Sequence, residues 1–275
     1  MNFYKIENFY KIEYFIDIDI YINNKIQYTL YFIMNREERL LFERDGYVII
    51  KNAIAREECQ KLMKESIKPI LRKNNLYYTG KRLRKKGLRG TCFGGSNGQP
   101  IDGKWPPLFK NKRVNAILGD LHPRGRWRWI YGAKNGLGWI HIRYPYTRSH
   151  KWKIPANGWH IDGAKNDNTI FSELSYVVLP LINSISPNGG GTALYKGSHR
   201  LINYWIHHLQ KRITLDKYIK NLMSDEKSSR QCNIVETNGA QGDILIMHPH
   251  LIHAPSNCWR NNKIRITFNL ATGFC

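Results

Sequence analysis

The chain has 275 residues, 42% of them hydrophobic and 12% aromatic, enough for a sizeable core and against wholesale disorder. Its 43 lysines and arginines against 21 acidic residues leave a formal charge of +22, which favours an anionic partner: nucleic acid, acidic lipid, or a molecule bearing phosphate or carboxylate. No apolar run approaches the roughly 20 residues that a membrane helix needs, so a membrane-spanning role is not expected.

Residues 1–34 differ in composition from the rest of the chain. Asn2-Phe3-Tyr4-Lys5-Ile6-Glu7 recurs letter for letter as Asn8 to Glu13, and the segment is almost entirely Tyr, Ile, Asn, Phe, Lys and Asp. A duplication this short is no repeat architecture, which needs periods of about 20 residues or more. The segment reads as an N-terminal extension, with Met34 a candidate start whose use N-terminal sequencing would reveal. Its most apolar part, Tyr14 to Met34, is broken by Asp17, Asp19, Asn23, Asn24 and Lys25, so it does not read as a signal peptide. Five scattered cysteines (Cys59, Cys92, Cys232, Cys258, Cys275) without CxxC spacing suggest free thiols in a reduced, cytoplasmic setting.

From Asn35 to Cys275 the pattern is that of a single domain. Arg36 to Arg44 is an amphipathic helix that Asp45-Gly46 turns into an apolar strand, Tyr47 to Lys51. Ala55 to Leu71 has helical spacing, with Cys59, Leu62, Met63 and Ile67 on one stripe. The glycine-rich, basic stretch 78–103, densest at Lys81-Arg82-Leu83-Arg84-Lys85-Lys86, is expected to be a long loop. With Arg124, Arg126 and Arg128 alternating with Trp127 and Trp129, it is either a phosphate-binding surface with stacking aromatics or a solvated basic face. Leu108 to Leu121 is the next helix, stopped near His122-Pro123.

Short β-rich runs come next: Gly138–Tyr144, Ile170–Ile182, Thr192–Tyr195, Ile234–Glu236, Gly242–Met247 and Ile264–Leu270, punctuated by Asn, Gly, Pro and Ser. They predict a mainly β fold with flanking helices (α+β), a sandwich or barrel of jelly-roll type. A helical insertion, 200–230, interrupts them with Leu201–Leu209 and Leu215–Met223. Its Trp205, His207 and His208 are expected to be packing and surface residues.

The chemistry centres on Gly158-Trp159-His160-Ile161-Asp162-Gly163. Residues i and i+2 of a strand share a side, so His160 and Asp162 can converge on one ion. Downstream, His248, His250 and His253 crowd at the end of a β run, and Arg265-Ile266-Thr267 opens the last strand with a guanidinium and a hydroxyl on one face. Two imidazoles and one carboxylate on one side of a metal leave three positions open, as in non-haem Fe(II) oxygenases.

Taken in order, these stretches resemble the phytanoyl-CoA dioxygenase-like branch of the Fe(II)/2-oxoglutarate-dependent oxygenases. The likeness runs through Glu43 to Ile54, Ile142 to Pro145, Trp159 to Gly163, Asn188 to Arg200 and Gly242 to Asn257, ending on the arginine strand. It spans residues 36–271 and leaves the leader and the basic loop uncovered. The resemblance implies a double-stranded β-helix (cupin-like) core. It makes His160, Asp162 and His253 the iron ligands and Arg265 the partner of the distal carboxylate of 2-oxoglutarate, with Thr192 and Thr267 as further contacts. Arg143 would face the co-substrate or a substrate carboxylate, or form a sheet-surface ion pair. His248 would line the pocket, His250 would pack or lie at the surface, and Asn257 would shape a turn. Because Asp162 is a carboxylate, where halogenases of the family carry a small residue, hydroxylation or a related oxidation is implied. The co-substrates would be 2-oxoglutarate and O2, the products succinate and CO2, and the substrate a small anionic molecule. Two alternatives stay open: a basic protein that binds or modifies nucleic acid, and a metal-binding jelly roll without oxygenase activity. An arginine just after the last ligand is explained by neither.

Overall fold

The computed structural model describes residues 34–73, 92–93, 111–122, 126–130, 139–146, 150–164, 170, 174–224, 233–259 and 264–274. The repeated leader up to residue 33, the basic stretch 78–103 except Cys92 and Phe93, Arg124, and residues 225–230 of the insertion lie outside them.

Helix α1 (Arg36–Asp45) begins with a reciprocal cap. The Asn35 side chain accepts from the Glu38 N–H (2.8 Å), and the Glu38 carboxylate accepts from the Asn35 N–H (2.9 Å). It ends at Gly46, φ +81°, where a β-carbon would run into the His199 ring. Strand β1 (Tyr47–Ile50) comes directly after it. The helix expected over Ala55–Leu71 is present, but not as one regular helix. Helix α2 (Arg56–Leu62) passes through a π-helical turn, Met63–Ile67, into α3 (Lys68–Lys73). Its buried residues Cys59, Met63, Ile67 and Leu71 recur every fourth position, wider than the 3.6-residue α repeat, and a widened turn keeps them facing the core. Helix α4 (Lys112–Leu121) is capped by Asn111 and stops at His122.

Among the described residues seven strands form one antiparallel sheet, ordered β1, β8 (Ile244–Met247), β5 (Leu174–Pro180), β10 (Arg265–Phe274), β4 (Trp139–Arg143) and β2 (Cys92–Phe93), with β3 (Trp127–Ile130) also paired to β10. A smaller antiparallel sheet holds β7 (Ile234–Glu236), β6 (Thr192–Tyr195) and β9 (His253–Pro255). Two strands lie where the sequence suggested only basic surface or loop, β2 and β3. Trp127 and Trp129 are half-buried and pack against the helix-side core. Helices α5 (Ser198–His208) and α6 (Leu215–Ser224) make up the insertion. Trp205 is fully buried, donating from Nε1 to Ile213 O (2.9 Å), while His207 and His208 are exposed, as expected. No helix among the described residues is long and apolar enough to cross a membrane.

Strand alternation then decides what each face carries. On the large sheet, Ile142, Val178, Ile244, Ile246, Ile266, Phe268 and Leu270 point to the helices and form one core with Val114, Ile117 and Leu118 of α4. Their odd-numbered neighbours Val177, Leu179, Leu245 and Met247 point the other way and pack with Leu194 of the small sheet. The inner face of β10 and β4 continues that alternation with polar side chains: Arg265, Thr267, Asn269, His141 and Arg143. Asp243, 1% exposed, fixes the start of β8 by accepting from the backbone N–H groups of Asn52 and Ala240 and from Lys51 Nζ, each at 2.9 Å. Two facing antiparallel sheets, the large one covered by α1 to α4 and the small one packed through Tyr195 and Ile234 against α5 and α6, are the expected double-stranded β-helix.

Candidate metal centre

His160 and His253 sit directly opposite each other. Each donates its backbone N–H to the other's carbonyl at 2.9 Å, an antiparallel bridge beyond the outer edge of β9. Their rings therefore fall on one side, with centroids 4.3 Å apart. Asp162 does not reach them by strand alternation as expected: His160 is in the bridge, but Asp162 lies in the turn after it. That turn is pinned by the Gly163 N–H donating to Pro249 O (3.2 Å), and a β-carbon at Gly163 would press on the His250 ring.

Both imidazoles present the same nitrogen inward. His160 Nδ1 lies 2.8 Å from Gly158 O and His253 Nδ1 lies 2.9 Å from Leu251 O. A carbonyl only accepts, so each Nδ1 carries a proton, and in the neutral ring each Nε2 is the atom left with a lone pair. His160 Nε2 is 3.7 Å from Asp162 Oδ1, and His253 Nε2 is 3.5 Å from Asp162 Oδ2. Burial, and after it His160, pushes the His253 pKa down to about 4, so this ring is neutral at pH 7. Asp162 Oδ2 is buried and has no hydrogen-bond partner among the described residues. Three potential ligand atoms within 4.8 Å of one another form an arrangement that a cation would satisfy. Their separations suit nitrogen and oxygen donors held about 2.0–2.2 Å from one divalent ion.

Serine supports this arrangement from behind, a role that sequence reasoning missed. The Ile252 N–H donates to Ser198 Oγ (2.8 Å) and Ile252 O accepts from the Tyr195 N–H (3.0 Å), which holds the chain just before His253. Ser198 was legible only as part of the Gly197-Ser198-His199 stretch, without a function attached.

The metal-facing atoms open onto a cleft of ≈ 320 Å3, lined by His141, Arg143, His160, Leu179, Thr192, Met247, His253, Pro255, Arg265 and Asn269. None of these is acidic. Arg265 is 5% exposed; its Nη1 donates to Gly190 O (2.8 Å) and its Nη2 to Thr192 Oγ1 (3.2 Å) and Thr267 Oγ1 (3.1 Å). Both threonines thus orient the guanidinium, and only Thr192 of the two lines the cleft. In the ladder, Arg265 pairs with Arg143 and Thr267 with His141. Arg143 also lines the cleft and has no hydrogen-bond or ion-pair partner among the described residues. His141 was overlooked. Burial, with Arg265 and Arg143 beside it, pushes its pKa down to about 4, and its buried Nε2 has no partner among the described residues. Its place at i−2 from Arg143 on an expected strand was the available signal.

His248 does not line the cleft, contrary to expectation. It turns to the other side, its ring 5.2 Å from His199 and 5.1 Å from His250, and its Nδ1 accepts from the His250 N–H (3.0 Å). His250 packs half-buried with Nδ1 at 2.8 Å from Asn203 Oδ1. Burial pushes His199 and His250 to about 4 and His248 to about 3, below the ordinary 6.5. Unfolded histidines bind protons first, so the stability held by these neutral rings is complete above about pH 6.5 and is lost as pH falls toward their folded values. Denaturant midpoints should therefore drop steadily from pH 7 to pH 4.5, and less so in a His248→Gln variant. A midpoint indifferent to pH in that window would contradict neutral burial of these rings.

No protein-family model matches the chain, and no curated protein matches it. Solved structures do. The α-ketoglutarate-dependent carbocyclase SnoK of nogalamycin biosynthesis is 13% identical, with 88% of this chain and 84% of that chain covered and a TM-score of 0.57. HygX from Streptomyces hygroscopicus, with nickel and 2-oxoglutarate bound, is 14% identical over 88% and 87% of the two chains, TM-score 0.51. EctD from S. alaskensis with bound Fe is 13% identical over 88% and 77%, TM-score 0.50. At these identities the likeness establishes the shared fold.

Proposed function

We propose that this protein is an Fe(II)- and 2-oxoglutarate-dependent oxygenase of the phytanoyl-CoA dioxygenase-like branch, hydroxylating an unactivated carbon of a small anionic substrate with release of succinate and CO2. The observation that carries this reading is the convergence of His160 Nε2, His253 Nε2 and the Asp162 carboxylate beside a buried arginine. Proteins of the same fold hold iron or nickel and 2-oxoglutarate.

His160, Asp162 and His253 would hold the ion. Iron held there would supply the oxidative chemistry toward 2-oxoglutarate and O2 that side chains lack. The protein's part is placement and exclusion. Arg265 holds the distal carboxylate of the co-substrate through a planar fork that Gly190 O, Thr192 and Thr267 keep in one orientation. Leu179, Met247 and Pro255 give the cleft apolar walls that keep water from the reacting centre. Neutral His141 offers a hydrogen bond without adding charge.

Arg143 is assigned to the substrate. Two guanidinium groups directly across an antiparallel ladder repel, an arrangement tolerated where an anion lies between or beside them. Arg265 has its partners; Arg143 is left to meet a carboxylate or phosphate of the substrate, in keeping with the +22 charge of the chain.

The test needs no substrate. Anaerobic addition of Fe(II) and then 2-oxoglutarate to the apo-protein should produce a visible metal-to-ligand charge-transfer band, absent with Zn(II). If no band develops although Fe(II) is bound, the oxygenase reading fails.

A further inference from the structure

The carboxylate of Glu236 lies one peptide away from the cleft and does not line it. Its Oε2 accepts from the Asn188 N–H (2.7 Å), and its Oε1 from the N–H groups of Gly190 (2.9 Å) and Gly191 (3.1 Å). Asn188 and Gly190 have φ of +63° and +80°, so the turn aims consecutive N–H groups inward, a concavity suited to an anion. The fit is close: a β-carbon on Gly191 would collide with Thr237 O, and one on Gly190 with Cys258.

The peptide joining Gly190 to Gly191 is planar and trans, so its N–H and C=O point in opposite directions. The N–H goes to Glu236; the C=O accepts from Arg265 Nη1 at 2.8 Å. Fixing one end of this plane fixes the other. Burial raises the Glu236 pKa, while the three N–H groups and the nearby Arg265 guanidinium, itself 5% exposed, favour the charged carboxylate; no acidic residue among the described ones lines the cleft.

We propose that Glu236 is a positioning residue for the 2-oxo acid: through the Gly190–Gly191 peptide it sets the orientation of the Arg265 guanidinium that receives the distal carboxylate. This rests on Arg265 being the anchor of that carboxylate. Glu236 touches neither the ion nor its ligand.

The experiment compares two chelators on the Mn(II)-loaded, full-length protein by calorimetry. 2-Oxoglutarate has a distal carboxylate; oxalate binds a metal similarly but has none. Glu236→Gln keeps the shape and one acceptor and removes the charge. It should raise the Kd for 2-oxoglutarate about tenfold or more, the order seen when an outer partner of a binding group is lost, while the Kd for oxalate stays within about twofold. In an Arg265→Met background the same substitution should add nothing. Unchanged 2-oxoglutarate affinity in Glu236→Gln overturns the inference. So does an equal loss for both chelators, which would mean that the turn merely supports the fold. If Arg265→Met itself leaves 2-oxoglutarate binding unchanged, the anchoring role of Arg265 fails and this inference falls with it. If Arg265→Met weakens binding but Glu236→Gln does not, the inference alone fails. Should the glutamine variant not fold, Glu236→Asp, whose charge sits one methylene further back, is read in the same way.

Discussion

Replacing Arg265 with methionine should raise the Kd for 2-oxoglutarate by two to three orders of magnitude while leaving Mn(II) affinity within about threefold. The guanidinium is 5% exposed, so its bond to a carboxylate forms largely out of water. Truncating one partner of such a buried charge pair costs about 2–5 kcal/mol, roughly 30- to several thousand-fold in affinity. The substitution also strips Gly190 O, Thr192 Oγ1 and Thr267 Oγ1 of their donor, so circular dichroism should first establish that the variant is folded. Lysine should not rescue it. An ammonium group cannot reach those three acceptors and a carboxylate as a planar fork does. The metal ligands lie on other segments, which is why ion binding should be spared. A variant that binds 2-oxoglutarate as the parent does would remove the anchor from the proposed site.

Asp162→Asn should have opposite effects on the apo- and metal-loaded protein. Without a metal, the aspartate is a poorly satisfied group: Oδ2 is buried without a hydrogen-bond partner among the described residues, beside two nitrogen lone pairs. An amide can donate to one of those nitrogens, so apo stability should hold or rise. With metal, the one negative ligand is gone, and affinity for Mn(II) or Fe(II) should fall by more than about 100-fold, beyond the 10–100-fold seen for losing an outer-shell partner. Thermal melts with and without Mn(II) read both effects. The parent should gain melting temperature on metal addition, because the ion binds the native state, and the variant should gain little. An equal metal-induced shift in both proteins would show that Asp162 is not a ligand.

Much of this architecture was legible because the large sheet is buried on both faces and punctuated by turn residues. The runs read as Gly138–Tyr144, Thr192–Tyr195, Ile234–Glu236, Gly242–Met247 and Ile264–Leu270 each overlap an observed strand within a few residues. The three metal-facing residues and Arg265 were also readable: the structure brings His160, Asp162 and His253 together, and His160, His253 and Arg265 line one cleft. What escaped has physical causes. Strand β9 is three residues long and ends in proline, too short to leave a periodic signal. Strand β3 sets Arg128 between Trp127 and Trp129, with Arg126 just before it, so charge hid a half-buried face. His248 follows Met247, which lines the cleft, so strand alternation turns its ring to the other side; the crowding of three histidines within six residues hid that parity. Glu236 and Ser198 act through backbone groups that have no letter in the sequence.

Strand β10 joins several tasks in one continuous segment. Arg265 to Asn269 pair with β4 and carry the co-substrate side of the cleft, while Leu270 to Gly273 pair with β5, and Ala271 to Phe274 with β3. Inserting or deleting a single residue near its start would rotate Arg265, Thr267 and Asn269 toward the helices and drive Ile266 and Phe268 into the polar cleft. The chemistry of this wall is therefore open to exchange of side chains but closed to changes in length. New specificity could enter through β4 and β10 only one substitution at a time.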